Sequence, residues 1–272
     1  MKNPPAILGE IASRTAIRVA RAKETLSPEQ AREQAIALAE TEPDHLQAVR
    51  SLPFERAIAA PGLSFICEVK KASPSKGVIA EDFPWLEIAK DYEETGAAAI
   101  SVLTEPEFFL GSDRYLREIA ATVKIPTLRK DFIIDPYQLY EAKLWGASAV
   151  LLICALLEPQ TLSSFIAIAG ELALDCLVEI HSEAEAEEAL NAGARVIGIN
   201  NRDLTTFNVD TGLASRLRRL IPTGALTVAE SGIKSADDVR ELKETGVDAV
   251  LIGESLMRSA DRKQFLRELL SV

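Results

Sequence analysis

The sequence predicts an α/β protein, a closed (β/α)8 barrel with a helical N-terminal extension over residues 1–60. Three observations carry this reading. From Ser64 onward, short β-branched or apolar runs alternate with amphipathic helical stretches, eight of each. Gly96, Gly146, Gly193 and Gly246 each follow a helix and precede a strand, the place a helix-terminating glycine takes. The G-x-G-x-x-G fingerprint of an open dinucleotide-binding sheet is absent, and eight units in about 210 residues suit a closed barrel. The expected organisation is one barrel domain over residues 1–272, the extension included.

Within the extension, Ile7, Leu8, Ile11, Ala12, Ile17 and Val19 make an irregular helical stripe. Ser27-Pro28-Glu29-Gln30 is a helix start, with Ser27 as N-cap, Pro28 in the first helical position and Gln30 three residues past the cap. That helix continues through Ala31–Ala39 until Pro43; a short helix around His45–Ser51 and a Pro61-Gly62 break follow. Strands are then expected at Phe65–Val69, Ala98–Leu103, Pro126–Leu128, Ala149–Ile153, Cys176–Val178, Val196–Ile199, Leu226–Ala229 and Ala249–Ile252. Helices are expected at Trp85–Thr95, Asp113–Val123, Pro136–Trp145, Pro159–Leu172, Ala184–Ala192, Thr211–Ile221, Ala236–Thr245 and Asp261–Leu270. Such alternation implies parallel strands covered by their connecting helices.

Composition narrows the chemistry. An apolar fraction of 47% excludes a disordered or fibrous chain. The longest apolar stretch, Ala147–Leu157, is too short to span a bilayer, and no leader pattern opens the chain, so a cytoplasmic protein is expected. A net charge of −11 argues against a nucleic-acid surface. Cys67, Cys154 and Cys176 lie apart in apolar runs and read as buried hydrophobes. His45 and His181 stand alone, which disfavours a histidine metal cluster or a Ser-His-Asp triad. Carboxylates, lysines and backbone groups are left to do the work.

Those groups sit at strand ends. Glu68 and Lys70 share one side of the first strand, because side chains alternate with a period of two. Lys130 ends the third on the parity of Leu128, Glu179 the fifth on that of Leu177, Asn200 the sixth on that of Gly198, and Glu230 the seventh on that of Val228. In a barrel these positions converge at the C-terminal mouth, where barrel active sites lie. Facing charges of both signs shift one another's protonation, as acid–base chemistry near neutrality requires. Glu230-Ser231-Gly232-Ile233 and Gly253-Glu254-Ser255 follow the last two strands, a position that commonly cradles phosphate. Lys71-Ala72-Ser73-Pro74-Ser75-Lys76-Gly77 is a basic turn suited to a mobile lid over an anion. On these residues alone, a Schiff-base sugar-phosphate lyase or aldolase and a non-catalytic phosphate-ligand sensor stay open beside an acid–base enzyme. A sugar-phosphate isomerase is conceivable from the fold.

Together, Glu68-Val69-Lys70-Lys71-Ala72-Ser73-Pro74-Ser75, Leu128-Arg129-Lys130-Asp131-Phe132, Leu177-Val178-Glu179-Ile180, Gly198-Ile199-Asn200-Asn201-Arg202-Asp203-Leu204, Ala229-Glu230-Ser231-Gly232-Ile233 and Gly253-Glu254-Ser255-Leu256-Met257 resemble the indole-3-glycerol-phosphate synthase family over nearly the whole chain. The resemblance implies closure of 1-(2-carboxyphenylamino)-1-deoxyribulose 5-phosphate to indole-3-glycerol phosphate in tryptophan biosynthesis, with no cofactor or metal. By the same resemblance Lys130 is the general acid, Glu179 the general base, and Lys70 holds the substrate carboxylate. Glu68 and Asn200 orient these groups with support from Glu230 and Ser231. Gly232 and Gly253 bind phosphate, while Phe109, Phe132, Leu151 and Arg202 line the anthranilate end or the mouth. Ser73 joins the substrate contacts from the basic turn. Glu254 stands where some relatives carry serine, so its side chain is expected to turn outward and leave only its backbone N–H to the phosphate. The implied partner is this anionic small molecule, with neither nucleic acid nor membrane.

Overall fold

The structure, a computed structural model, describes residues 2, 4–41 and 52–272. Eight parallel strands close into a barrel: β1 (Ser64–Val69), β2 (Ala99–Leu103), β3 (Thr127–Lys130), β4 (Ala149–Ile153), β5 (Asp175–Ile180), β6 (Val196–Asn200), β7 (Leu226–Glu230) and β8 (Ala249–Ile252). Each pairs with its neighbours in sequence, and Cys67 of β1 closes the ring by standing opposite both Ile100 and Ile252. All eight expected strands are present. Four run further than expected at their C-terminal ends, taking Lys130, Glu179, Asn200 and Glu230 into the ladder.

Twelve helices are described: α1 (Ala6–Thr25), α2 (Pro28–Glu40), α3 (Pro53–Ile58), α4 (Trp85–Thr95), α5 (Asp113–Ala120), α6 (Tyr137–Leu144), α7 (Pro159–Glu171), α8 (Glu183–Asn191), α9 (Gly212–Arg218), α10 (Ala236–Thr245), α11 (Glu254–Arg258) and α12 (Arg262–Leu270). Helices α4 and α10 have the expected bounds, whereas α5 and α9 stop about three residues early. There the last turn tightens into three-residue hydrogen bonds, Thr122 N–H to Ile119 O and Ile221 N–H to Arg218 O. The four helix-ending glycines all have positive φ.

The extension docks on the barrel's outer wall. Ser27 Oγ accepts the Gln30 N–H while Gln30 Oε1 accepts the Ser27 N–H, the reciprocal cap expected there. Ala31, Ala35 and Ala39 form a fully buried stripe, small enough for α2 to lie close against α6. Tyr137 Oη donates to the carbonyls of Ala22 and Leu26, and Lys23 pairs with Asp135 at 2.7 Å. Leu8, Ile11, Ala12 and Val19 are buried as the stripe predicts, but Ile17 is 49% exposed on the opposite side of α1.

Helix α3 was not legible as a helix. Its six residues are too few to show helical periodicity, yet Phe54 and Ile58 are fully buried against the strand starts. Glu55 N–H donates to Asp175 Oδ2 at 2.9 Å, and Ser64 Oγ donates to Ala57 O at 3.4 Å. Helix α3 therefore plugs the N-terminal end of the barrel, opposite the mouth. The helix expected at His45–Ser51 lies outside the described residues. Cys67 and Cys154 are buried and Cys176 half-buried, all three as free thiols. Among the described residues no helix is long and apolar enough to cross a membrane.

Candidate active site

At the C-terminal mouth lies a pocket of about 590 Å³, within the size range of small-molecule sites. The candidate catalytic and substrate-contact residues line it: Lys70, Glu68, Lys130, Glu179, Asn200, Glu230 and Ser231 at its floor, and Ser73, Phe109, Phe132, Leu151, Arg202, Gly232, Gly253 and Glu254 around its wall and rim. Strand parity, closed into a ring, brings Glu68, Lys130, Glu179, Asn200 and Glu230 together, and the loops that follow the strands supply the rim.

Lys130 is the centre of the floor. Its Nζ lies 3.3 Å from Glu179 Oε2 and 3.4 Å from Glu230 Oε2, so β3, β5 and β7 meet through one ammonium. Burial alone would push this lysine down. Glu230, Glu179 and Glu68 overcome it and hold Lys130 well above the ordinary lysine range. Burial would likewise raise Glu179, but Lys130 and His181 outweigh it and keep that carboxylate below its ordinary range. Glu230 goes the other way. Burial, reinforced by Glu179 and Glu68 against the pull of Lys130, lifts it to about 7. Its Oε1 is buried without a hydrogen-bond partner, so Lys130 stands between an ionised Glu179 and a Glu230 poised near neutrality.

The β1 side is a tighter pair. Lys70 Nζ donates to Glu68 Oε1 at 2.5 Å, and Ser101 Oγ to Glu68 Oε2 at 3.4 Å. Burial opposes the charge on Glu68, yet Lys70 and Lys130 hold its carboxyl below the usual range. Two glycines make room for these carboxylates. A Cβ on Gly198 would run into Glu230 Oε1, and one on Gly253 would strike Glu68 Oε1 and sit 3.0 Å from Glu68 Cβ. Gly253 thus has a packing reason to lack a side chain, separate from the phosphate role expected of it. Asn200 Oδ1 accepts from Ser231 Oγ at 2.8 Å and from the Arg202 N–H at 3.1 Å, and its side chain also bonds Glu179. Ser231 is held at φ +66, in a region costly for a residue with a Cβ.

At the rim, Phe109 and Phe132 pair with ring centroids 5.9 Å apart. The basic turn is a two-rung hairpin, Ala72–Ser73 against Gly77–Val78, beside the pocket. Glu254 departs from expectation. Its side chain lines the pocket rather than turning away, because Lys76 at 3.6 Å, Arg258 at 3.3 Å and Arg202 at 3.8 Å surround the carboxylate with positive charge.

Several contributors were not foreseen. Ile7, Leu8 and Ile11 of α1 line the pocket, so the extension forms part of its wall. Asp131, fully buried beside Lys130, accepts from Arg18 at 2.7 Å, Thr104 at 2.6 Å, Arg129 at 3.1 Å and the Phe132 N–H at 2.8 Å. Burial opposes its charge, but Arg18 and Arg129 hold it well below the usual carboxylate range. His181, set aside as solitary, stands 3.5 Å from Glu179 Oε1 and 3.4 Å from Glu185 Oε2. Its spacings, two residues past Glu179 on the same strand parity and four before Glu185, were the available signal.

A family model described as indole-3-glycerol phosphate synthase matches residues 9–269. An indole-3-glycerol phosphate synthase of Ruminiclostridium cellulolyticum is 54% identical over 255 residues, covering 94% of this chain and 95% of that protein. The chain belongs to the indole-3-glycerol phosphate synthase family. An indole-3-glycerol phosphate synthase of Endomicrobium trichonymphae is 53% identical, covering 97% and 99% of the two chains. Among solved structures, a thiamine phosphate pyrophosphorylase from Pyrococcus furiosus superposes with a TM-score of 0.59 at 20% identity, covering 80% of this chain and 96% of that one. KGPDC from Streptococcus mutans gives 0.60 at 12% identity, covering 77% and 96%. Likeness at that level shows the barrel alone.

Proposed function

We propose that this enzyme closes the indole ring of 1-(2-carboxyphenylamino)-1-deoxyribulose 5-phosphate, releasing carbon dioxide, water and indole-3-glycerol phosphate. The observation that carries the residue roles is Lys130 held charged at the junction of Glu179 and Glu230. The ring carbon bearing the carboxylate attacks the ketose carbonyl, and Lys130 delivers a proton to the oxygen as negative charge develops there. The ring, now cationic, sheds its carboxylate as carbon dioxide and regains aromaticity. A second proton turns the hydroxyl into water, with Lys70 as a second acid, and Glu179 removes the proton that completes the indole. Two protons enter and one leaves at the reacting atoms, so turnover of the ionised carboxylate consumes one proton.

Binding follows the division between floor and rim. Phe109, Phe132 and Leu151 suit the flat apolar anthranilate ring, with Lys70 receiving its carboxylate. Glu68, Asn200 and Ser231 orient the acid–base groups and the sugar hydroxyls. The phosphate goes to the turns of Gly232 and Gly253, with Lys76 and Arg202 exchanging part of their attraction to Glu254 for it.

A Schiff base at Lys130 is disfavoured by the same geometry, since an ammonium held protonated by its carboxylate neighbours has no free electron pair for a carbonyl; borohydride trapping tests Lys70 as well. The test is the rise of indole fluorescence on adding substrate to wild type and Lys130→Ala side by side. Lys130→Ala is expected to lose at least about a hundredfold in kcat with its fold retained. A variant keeping most of its kcat, or a borohydride-trapped substrate adduct on the wild type, overturns the assignment.

A further inference from the structure

Between β2 and α5 the chain passes over the pocket rim through residues 104–112, and one buried side chain organises that passage. Glu105 is 2% exposed and does not line the pocket. Its carboxylate accepts three successive backbone N–H groups: Glu107 at 2.9 Å on Oε1, then Phe108 at 2.7 Å and Phe109 at 3.0 Å on Oε2. Converging N–H groups are how a backbone turn holds an anion, and bonds to an ionised acceptor are stronger than neutral ones. Here the anion is the chain's own side chain. The turn closes behind it, with Gly111 N–H donating to Glu105 O at 2.8 Å and Leu110 held at φ +51. Beyond the turn, Phe109 O accepts the Ala72 N–H at 3.2 Å, tying the hairpin that carries Ser73 to the same segment. The Phe109 side chain faces Phe132 in the pocket.

We propose that Glu105 is a positioning residue for the substrate's aromatic end, fixing the 106–110 turn so that Phe109 stands against Phe132. The inference rests on the reading of those two rings as the anthranilate slot. Glutamine at 105 offers one acceptor where the turn needs two, and its amide group faces a backbone N–H instead of accepting from it. Phe109 then shifts while the strand-borne floor stays in place.

The experiment is a double-mutant cycle with Glu105→Gln and Phe109→Ala, read by steady-state kinetics on the carboxyphenylamino-deoxyribulose phosphate and by competitive inhibition with inorganic phosphate. Glu105→Gln is expected to raise KM about tenfold with kcat within about twofold. The phosphate inhibition constant stays unchanged. On the Phe109→Ala background the same substitution adds little, because the ring it positions is gone. An equal KM penalty on both backgrounds overturns the proposal, and so does phosphate inhibition weakened in step with KM, the mark of a generally disordered mouth. Phe109→Ala with an unchanged KM removes the anthranilate-slot reading itself, a distinct failure. If Glu105→Gln does not fold, Glu105→Asp, which keeps the charge but shortens its reach, enters the same cycle with the same criteria.

Discussion

Asp175 opens strand β5 and Glu179 ends the same face of it, and both side chains are buried. At the plugged end, Asp175 accepts the Glu55 N–H from α3, and burial carries its carboxyl up to about 6, with the neighbouring Glu55 charge adding to the rise. At the mouth, burial pushes Glu179 in the same direction, yet Lys130 and His181 reverse the outcome. Desolvation is common to both ends. The partner decides whether a buried carboxylate is a stability cost or an ionised base. The same strand thus serves stability at its start and chemistry at its end, as barrels generally divide the two faces.

Amide substitution at each end of β5 breaks this comparison most directly. Glu179→Gln is expected to lower kcat by about 10² to 10⁴-fold, the range for a direct acid–base group, with substrate still bound. Single-turnover indole fluorescence checks it, and retained turnover would place the base elsewhere in the pocket. A smaller effect comes from the group behind the base. In His181→Asn, Glu179 loses a neighbouring positive charge, while Glu185, Glu230 and Asp203, which also face the imidazole, remain. The acid limb of the kcat/KM profile is expected to move to higher pH, with the loss in plateau activity well below that of Glu179→Gln. An unmoved acid limb would mean that His181 does not act through Glu179.

The smallest effect belongs to the plugged end. A carboxylate moved from 3.8 to about 6 on folding costs the native state at most about 3 kcal/mol once ionised. Asp175→Asn keeps an acceptor for the Glu55 N–H, so a net gain of about 1 kcal/mol is expected at pH 8. Because the folded-state value is the raised one, the cost is complete above about pH 6 and absent below the ordinary value. The gain therefore fades as pH falls toward 4. Urea unfolding at pH 8 and pH 4 reads this directly, and kcat should not change. Destabilisation at pH 8 would show that the ionised form of Asp175 is the one the fold uses.

Particular residues show how much was legible beforehand. Strand parity is a local property, so Glu68, Lys130, Glu179, Asn200 and Glu230 could be assigned to one face from their spacing to the nearest apolar neighbour. The Ser27 cap was equally local, since its partners lie within three residues. Asp131 was not legible as a junction, because Arg18 reaches it across 113 positions and a buried charge looks like any strand-end aspartate until its donors are known. For Glu254 the i,i+4 partner Arg258 is local, but Lys76 and Arg202, which draw the carboxylate toward the pocket, arrive from other segments and leave no local signature. Glu105 passed unnoticed, since a carboxylate that binds its own backbone leaves no periodic or charge-pair signature.

By itself the sequence determined the eightfold alternation, the order of strands and helices, and which polar residues end which strands, because those depend on periods of two and 3.6 residues along a covalent chain. Its motifs also determined the family. Only the tertiary structure decided what each charge means. Closure of the ring sets Lys130 among Glu179, Glu230 and Glu68, holds two of these carboxylates ionised and lifts Glu230 to about 7, and brings α1 and α3 to opposite ends of the barrel. Protonation and orientation depend on distances between groups scores of residues apart, and those distances exist only once the barrel has closed.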